Sequence, residues 1–179
     1  MRRRRVWIGV TAVVLAVAVS GALWFEPWRM LTHSYVDEAL PVALPTEVVT
    51  TAPVTPGAVA VTTPPPTPAD VLVSRTAFVS AEHETTGDVL LIRLADGSHL
   101  VRLMGFETSD GPDLHVGFGT SAPGDIDVGG YLELGPLRAT GGNLNYPVPA
   151  GADVSSFTTV AIWCQRFDAV FGSAPLGAV

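Results

Sequence analysis

The sequence predicts an all-β domain, an antiparallel sandwich or barrel, preceded by one transmembrane helix and a proline-rich linker. Three observations support this prediction. An uncharged apolar run spans Val6–Phe25, prolines crowd residues 41–68, and short alternating segments broken by Gly, Pro, Asp and Asn follow Val71. We therefore divide the chain into a cytoplasmic basic tail (1–5), a helix (6–25), an extracytoplasmic linker (26–70) and a β domain (71–179).

The N-terminal segment is predicted to be a signal anchor. A bilayer core requires about 20 apolar residues in a helix, and Val6–Phe25 meets this length. The block Arg2–Arg5 predicts a cytoplasmic N-terminus. The alternative is a cleaved signal peptide, since Ser20–Ala22 offers small residues, but the apolar region of a signal is usually about 7–15 residues long. Both alternatives place the remaining chain outside the cytoplasm.

The stretch from Pro41 to Pro68 is predicted to be an extended linker. Proline lacks the backbone N–H that helices and sheets use, and a Pro/Thr/Val/Ala mixture favours polyproline-like conformations. We expect the piece between Trp28 and Glu38 to form at most one or two helical turns. The linker should hold the domain several nanometres from the bilayer at about 3.1 Å per residue.

Composition excludes several classes of protein. Ten basic residues, all arginine, include four at positions 2–5, so six arginines face 17 acidic residues in the rest of the chain, a balance of −11. That sign is wrong for a nucleic-acid interface. The single cysteine excludes an intramolecular disulfide and any multi-cysteine zinc site. No phosphate loop, GxSxG, HExxH or CxxCH motif is present, which argues against a hydrolase and covalent c-type haem. The arginine-only, Ala/Val/Gly-rich usage is typical of a high-GC bacterium.

One hairpin is predicted in DVLLIRLADGSHLVRLMGF. Asp96-Gly97 is a favoured two-residue turn, and it would set Ala95 opposite Ser98. The resulting register predicts a core face, and places Arg93 and Arg102 on the other face. That core face would consist of Leu90, Ile92 and Leu94 opposite Leu103, Val101 and His99.

Further short strands are expected along the β domain, each bounded by turn residues. These are Thr76–Ser80, DLHVGFG (113–119), YLELGPLR (131–138), NLNYPVP (143–149), TTVAIWCQRF (158–167) and DAVFG (168–172).

Cys164 lies in one of these strands. A strand over Thr158–Gln165 puts Cys164 on one face with Val160 and Ile162, and Trp163 on the other. Four roles stay open: a small buried hydrophobe, a redox thiol activated by a cation such as Arg166, an axial ligand to haem or a metal, or an intermolecular disulfide partner. An exported free thiol is at risk of oxidation, so it requires burial or a use.

Four pieces of the sequence resemble the DM13 domain family. They are HETTGDV (83–89), LVRLMGFETSDGPDLHV (100–116), LGPLRATGGNLNYPVP (134–149) and VAIWCQRFDAVFGSAPL (160–176). The ending IWC-x-x-F-x-x-x-FG-x-A-x-L is the most specific. The resemblance implies an all-β extracytoplasmic domain that takes part in electron transfer, often beside cytochrome-like domains. It also implies that Cys164 acts as a redox thiol or binds a prosthetic group such as haem.

Two functional hypotheses follow. The first is a membrane-tethered electron carrier using Cys164, with His83, Trp163 and Arg166 as candidate cofactor-binding residues, no metal site, and a redox protein as partner. Other candidate second ligands are His99, His115 and Met104, and no spacing selects one of them. The second hypothesis is a non-catalytic module in which Cys164 and Trp163 are core residues. The loops Asp110–Asp113 and Gly141–Asn145 would then contact an envelope partner.

Overall fold

A computed structural model describes residues 2–25, 33–41 and 69–177 of the chain. The first range is one helix, α1 (Arg2–Phe25), which contains no proline and ends just before Pro27. The apolar side chains that are described in it are largely exposed, as Val13 and Leu23 show at 64% each. Within the described ranges, no helix has both the length and the apolarity that crossing a membrane requires, so the transmembrane helix expected over 6–25 is not supported. The predicted linker residues 26–32 and 42–68 lie outside the described part.

The other two ranges form ten strands and a short 3-10 turn at Val154–Ser156. The strands are β1 (Tyr35–Asp37), β2 (Val71–Ala77), β3 (Val79–Ser80), β4 (Thr85–Arg93), β5 (His99–Thr108), β6 (Leu114–Gly119), β7 (Leu132–Pro136), β8 (Gly141–Pro147), β9 (Thr159–Cys164) and β10 (Ala169–Pro175). The strands expected from the sequence after residue 80 are confirmed in order, with boundaries that differ by a few residues. The single strand expected over Thr76–Ser80 is instead divided at Phe78 between the end of β2 and β3, which lie in different sheets.

The strands make two five-stranded sheets. The first sheet has the order β1-β8-β5-β4-β2 and the second has the order β3-β10-β9-β6-β7. All pairings are antiparallel except β1 with β8, which is parallel. Apolar side chains from both sheets share one buried cluster, so the sheets face each other as a sandwich. The all-β, largely antiparallel sandwich predicted from the sequence is confirmed.

The register predicted for the β4–β5 hairpin is wrong by one residue. Arg93 pairs with His99 and Leu91 pairs with Val101. The connection is longer than two residues, because Leu94 donates to Ser98 O at 2.8 Å and Gly97, at φ 85°, donates to Leu94 O at 2.9 Å.

A slip of one residue exchanges the two faces of a strand. Val89 and Leu91 therefore face the core, while Leu90 and Ile92 pack on the outer face of the first sheet beside Leu100. Both faces of these strands are apolar, so alternation could not fix the register.

The first strand corrects the predicted linker. Residues 33–41 were expected to belong to the 26–70 linker, with at most a helical turn or two. Instead, Tyr35–Asp37 pair with Gly141–Asn143 at the edge of the first sheet. Three strand residues in a proline-flanked segment carry little pattern of their own, and their pairing depends on side chains more than 100 residues away.

Candidate functional site

Cys164 is the last residue of β9 and is completely buried. It pairs with Leu114 on β6 and with Ala169 on β10, and all three side chains belong to the cluster between the sheets. Val160 and Ile162 lie in that cluster, whereas Ala161 and Trp163 pack in a separate cluster on the outer face of the second sheet. The face assignment made from the sequence is therefore correct.

The turn that follows the thiol is exposed. The turn that connects β9 to β10 consists of residues 165–168. Its last three residues are exposed: Arg166, Phe167 and Asp168. Asp168 has φ 53°, the left-handed region, which side chains other than Gly, Asn and Asp rarely adopt. The Trp163 indole N–H donates to Asp168 Oδ1 at 3.2 Å. The buried Cys164 therefore lies two residues before the first exposed residue of a turn that the Trp163–Asp168 hydrogen bond stabilises.

A loop covers the same end of the sandwich. The backbone N–H of Gln165 donates to the backbone carbonyl of Asp113 at 3.0 Å, which connects the turn to the loop Asp110–Asp113. A Cβ on Gly111 would come within 3.0 Å of Phe171 and 3.1 Å of Leu114. A larger residue at this position would require Phe171 or Leu114, which share the cluster of Cys164, to shift by a few tenths of an ångström.

His83 lies on the outside of Phe171. The two rings stack with centroids 3.8 Å apart and an interplanar angle of 22°. Its Nδ1 is 3.0 Å from Ser109 Oγ. The structure thus brings His83 to the Cys164 end of the sandwich, where it contacts Phe171.

Two clefts open near this end. One, of about 570 Å³, is lined by residues 110–115 and 136–140 together with Ser34. The other, of about 640 Å³, is lined by residues 33–35, His83, Glu107 and Ser109 among others. Ser34 and Thr140 belong to both, and Cys164 lines neither. A haem ligated by Cys164 does not fit this arrangement, because axial ligation requires the sulfur to face open space.

The remaining candidate ligands are dispersed. His115 bonds through Nδ1 to Glu133 Oε1 at 2.7 Å and through Nε2 to Asp113 Oδ1 at 3.2 Å, so both ring nitrogens are engaged. His99 pairs with Arg93 at the hairpin end of β5, and Met104 packs on the outer face of the first sheet. In the described ranges no three metal-ligating side chains come together.

Trp163 and Arg166 do not converge on the thiol. Trp163 packs edge-on against Tyr131 with ring centroids 4.9 Å apart, on the face of the second sheet opposite to Cys164. Arg166 is exposed in the turn. The Tyr131 hydroxyl is buried and is the one described side-chain polar atom of that kind that lacks a hydrogen-bond partner. Burial is the main cause that raises the pKa of this phenol far above its ordinary value, and the negative charge of Glu133 is the second cause.

Sequence reasoning missed Asp168 as part of this site. The signal available was its place between two strand patterns, since a residue with an αL-tolerant side chain is favoured at the end of a tight hairpin loop.

The site is built from the pieces that carried the family resemblance. The sequence model of a family described as Electron transfer DM13 matches residues 77–176. The chain belongs to the DM13 family. The match covers the sandwich from the end of β2 through β10, and it contains Cys164, the Asp110–Leu114 loop and the turn. The strand β1 lies outside the DM13 match. Neither the curated proteins nor the solved structures that were searched contain a significant match.

Proposed function

We propose that this DM13 chain is an electron-transfer module whose redox group is the Cys164 thiol, reached when the Gln165–Asp168 turn opens. The family description supports electron transfer. The observation that carries the assignment to Cys164 is its position at the end of β9, two residues before the exposed Arg166. No other thiol exists in the chain.

The chemical step requires a partner disulfide. The Cys164 thiol loses its proton to solvent, and the thiolate attacks one sulfur of the partner. An S–S bond to Cys164 forms while the partner's S–S bond breaks and its second sulfur leaves as a thiolate. The partner then carries one free thiolate and one sulfur bound to Cys164. The Cys164 thiolate of a second copy of the chain attacks the bound Cys164 sulfur, so that a Cys164–Cys164 disulfide forms between the two copies and the partner leaves as a dithiol, reduced by two electrons.

The closed structure protects the thiol until a partner arrives. Opening must break the Trp163–Asp168 and Gln165–Asp113 hydrogen bonds and the pairing of Cys164 with Ala169. Such local unfolding costs less free energy than global unfolding, since few buried contacts are lost.

One observation favours a second candidate function. Cys164 is completely buried among Leu114, Phe171 and other apolar side chains, which is how a structural cysteine packs. In this second candidate the domain is a non-catalytic binding or structural module of the envelope, and its contacts are made by the loops around the two clefts.

Thiol reactivity separates the two candidates. The full-length chain in detergent is treated with a disulfide reagent under native conditions and in denaturant, with Cys164→Ser as the blank. Replacing Asp168 by Ala removes the acceptor of the indole N–H and leaves a left-handed Ala, a loss of about 1–2 kcal/mol of local stability, so the native rate should rise about 5- to 30-fold. Asp168→Asn retains an acceptor and tolerates the left-handed region, and should react at nearly the wild-type rate.

The result that overturns a redox role is specific. If the thiol of wild type and of both Asp168 variants reacts only after global unfolding, Cys164 is a core residue and the second candidate holds.

We further propose that the domain acts outside the cytoplasmic membrane, tethered by the N-terminal segment. This part rests on the sequence, namely the arginine block followed by the apolar run. The exposure of the described apolar side chains of α1, such as Trp7 (71%) and Val13 (64%), supports it.

A further inference from the structure

The edge of the DM13 sandwich at β8 is occupied by a strand that lies outside the family match. The family match begins at residue 77, and β1 precedes it by about 40 residues. β1 is also the single strand among the described residues that pairs in parallel. Without β1, β8 would present a row of unpaired backbone groups, which is a template for strand addition.

The N-terminal end of the occupant is held by reciprocal bonds. The Ser34 amide donates to Thr140 Oγ1 at 3.0 Å, and the Thr140 amide donates to Ser34 Oγ at 3.1 Å. The Gly141 amide donates to Ser34 O at 3.0 Å. These bonds use both the backbone and the side chain of Ser34, so the edge recognises this residue beyond general strand pairing.

The C-terminal end is held by charge. Glu38 forms an ion pair with Arg138 at 2.6 Å, and its other carboxylate oxygen accepts from the Asn145 amide at 2.7 Å. Arg102, which is 8% exposed, donates to the Glu38 carbonyl at 3.0 Å. Asn143 donates to Asp37 Oδ1 at 2.7 Å. Arg138 and the backbone amide of Asn145 thus bind the Glu38 carboxylate, and the Asn143 side chain binds the Asp37 carboxylate. Arg102 contacts the backbone of the strand and not an acidic side chain.

The backbone of β8 is shaped for this contact. Gly142 has φ 112°, and a Cβ built there would collide with the Val36 carbonyl. A side chain at this position would therefore prevent the close approach of the two backbones. Val36 itself points toward the core cluster.

We propose that the β8 edge is a binding site for an extended acidic peptide, and that residues 34–39 are its intramolecular occupant. The peptide has the pattern Ser-x-apolar-acid-acid, set by Thr140, Gly142, Asn143 and Arg138 in turn. The covalent connection through residues 42–68 keeps the occupant at a high effective concentration. The same class of peptide from another chain binds when the chain's own strand is detached.

Detachment also changes the two clefts. Ser34 lines both of them, and His33 and Tyr35 line the larger. A chain without its own strand at the edge therefore has both clefts open on that side.

The test uses the full-length chain and a labelled synthetic peptide of residues 33–41. Glu38→Pro in the chain removes the N–H that donates to Asn143 O and the carboxylate that meets Arg138. Fluorescence anisotropy should show the peptide binding this variant at least about tenfold more tightly than wild type, because the competing strand is disabled.

Charge reversal tests the recognition. In the Glu38→Pro chain, Arg138→Glu should weaken peptide binding by about tenfold or more, and a peptide carrying Glu38→Arg should restore it. Arg75→Glu is the matched control, since Arg75 pairs with Asp88 on β2 and β4, on the far side of the first sheet, and should leave binding unchanged.

The proposal is overturned if Glu38→Pro binds the peptide no better than wild type, or if Arg138→Glu and Arg75→Glu have equal effects. Should Glu38→Pro fail to fold, Arg138→Glu alone still decides. The proposal requires that chain to bind the Glu38→Arg peptide more tightly than the unchanged peptide, and equal binding overturns it. None of these measurements involves Cys164, so their failure leaves the electron-transfer proposal untouched.

Discussion

Two tyrosines show how differently a phenol hydroxyl can be buried in this sandwich. The Tyr146 hydroxyl accepts from the Arg138 amide at 3.2 Å and donates to Pro136 O at 3.3 Å, and the Arg138 guanidinium lies 4.7 Å from its ring centroid. The Tyr131 hydroxyl has no such partner. A buried hydroxyl without a hydrogen bond loses its water without compensation, so the two hydroxyl groups should contribute to stability with opposite sign.

We expect Tyr131→Phe to leave the free energy of unfolding unchanged or to raise it by up to about 1 kcal/mol, because no hydrogen bond is lost. Tyr146→Phe should lower it by about 1–2 kcal/mol, because it leaves the Arg138 amide and Pro136 O unpaired. Urea unfolding of the two variants measures the difference. Equal losses in both would contradict the assignment.

The same pair predicts the response to alkali. Burial is the main cause that raises the pKa of both phenols, so each stays protonated in the folded chain while the unfolded chain loses the proton near pH 10. The unfolded state then binds fewer protons, and stability falls as the pH rises above that value. The fall should be shallower in Tyr131→Phe than in wild type, as measured by urea midpoints between pH 8 and pH 11.

For single residues, the sequence predicts the face of the strand on which a side chain lies, but not the residues that the side chain contacts. Strand alternation alone placed Cys164 inward and Trp163 outward, and the clusters confirm it. It could not show that the outer face opposite the sulfur would hold Tyr131, or that Asp168 would bond the indole, because both contacts depend on how distant loops fold back. The sequence likewise could not show that the candidate ligand His83 lies at the Cys164 end of the sandwich, because its stacking on Phe171 joins distant segments of the chain.

The strands illustrate which signals are local. Segments with clear alternation and strong turn residues, such as β6 and β9, were identified with nearly correct boundaries. The β4–β5 register failed because both faces of the hairpin are apolar and the loop gains a residue at Gly97. The short β1 carried no pattern at all, since its pairing is set by Thr140, Asn143, Asn145 and Arg138 on distant segments.

Hydrogen exchange should report the hold on β1 directly. Glu38→Ala removes the acceptor of the Asn145 amide and the partner of Arg138, so we expect the Asn145 and Gly141 amides to exchange at least about fivefold faster. Amides of β9 serve as the internal control and should be unchanged. Glu38→Gln keeps an oxygen acceptor and should give an intermediate rate. A uniform increase over all strands would instead indicate global destabilisation.

At the scale of the whole molecule, the sandwich and its sheet class followed from the sequence, while the arrangement of its N-terminal third did not. Turn spacing and alternation are distributed over more than 100 residues, so errors at single strands did not change the class. The sequence predicts that the β domain begins at residue 71, whereas the first strand of the sandwich, β1, begins about 35 residues earlier, at Tyr35.

The proposed location can be measured on whole cells. If the domain lies outside the cytoplasmic membrane, an external protease should remove it from spheroplasts while a cytoplasmic marker stays intact, and the chain should fractionate with membranes. Replacing Arg2–Arg5 by Ser should weaken this orientation, because arginines near the start hold that end in the cytoplasm. Full protection from protease in intact spheroplasts, with cleavage only after lysis, would contradict the proposal.

The pairing of β1 with β8 determines how far the domain can travel from α1. With the strand bound, only residues 26–34 separate α1 from β1, a maximum span of roughly 30 Å at about 3.3–3.6 Å per residue. Residues 42–68 then begin and end on the domain and add nothing to that span. When β1 is detached from β8, all of residues 26–70 connect α1 to the domain. The maximum span then grows about fivefold, to roughly 150 Å. The hydrogen bonds and the ion pair that hold β1 at this sheet edge thus set the maximum distance between α1 and the domain.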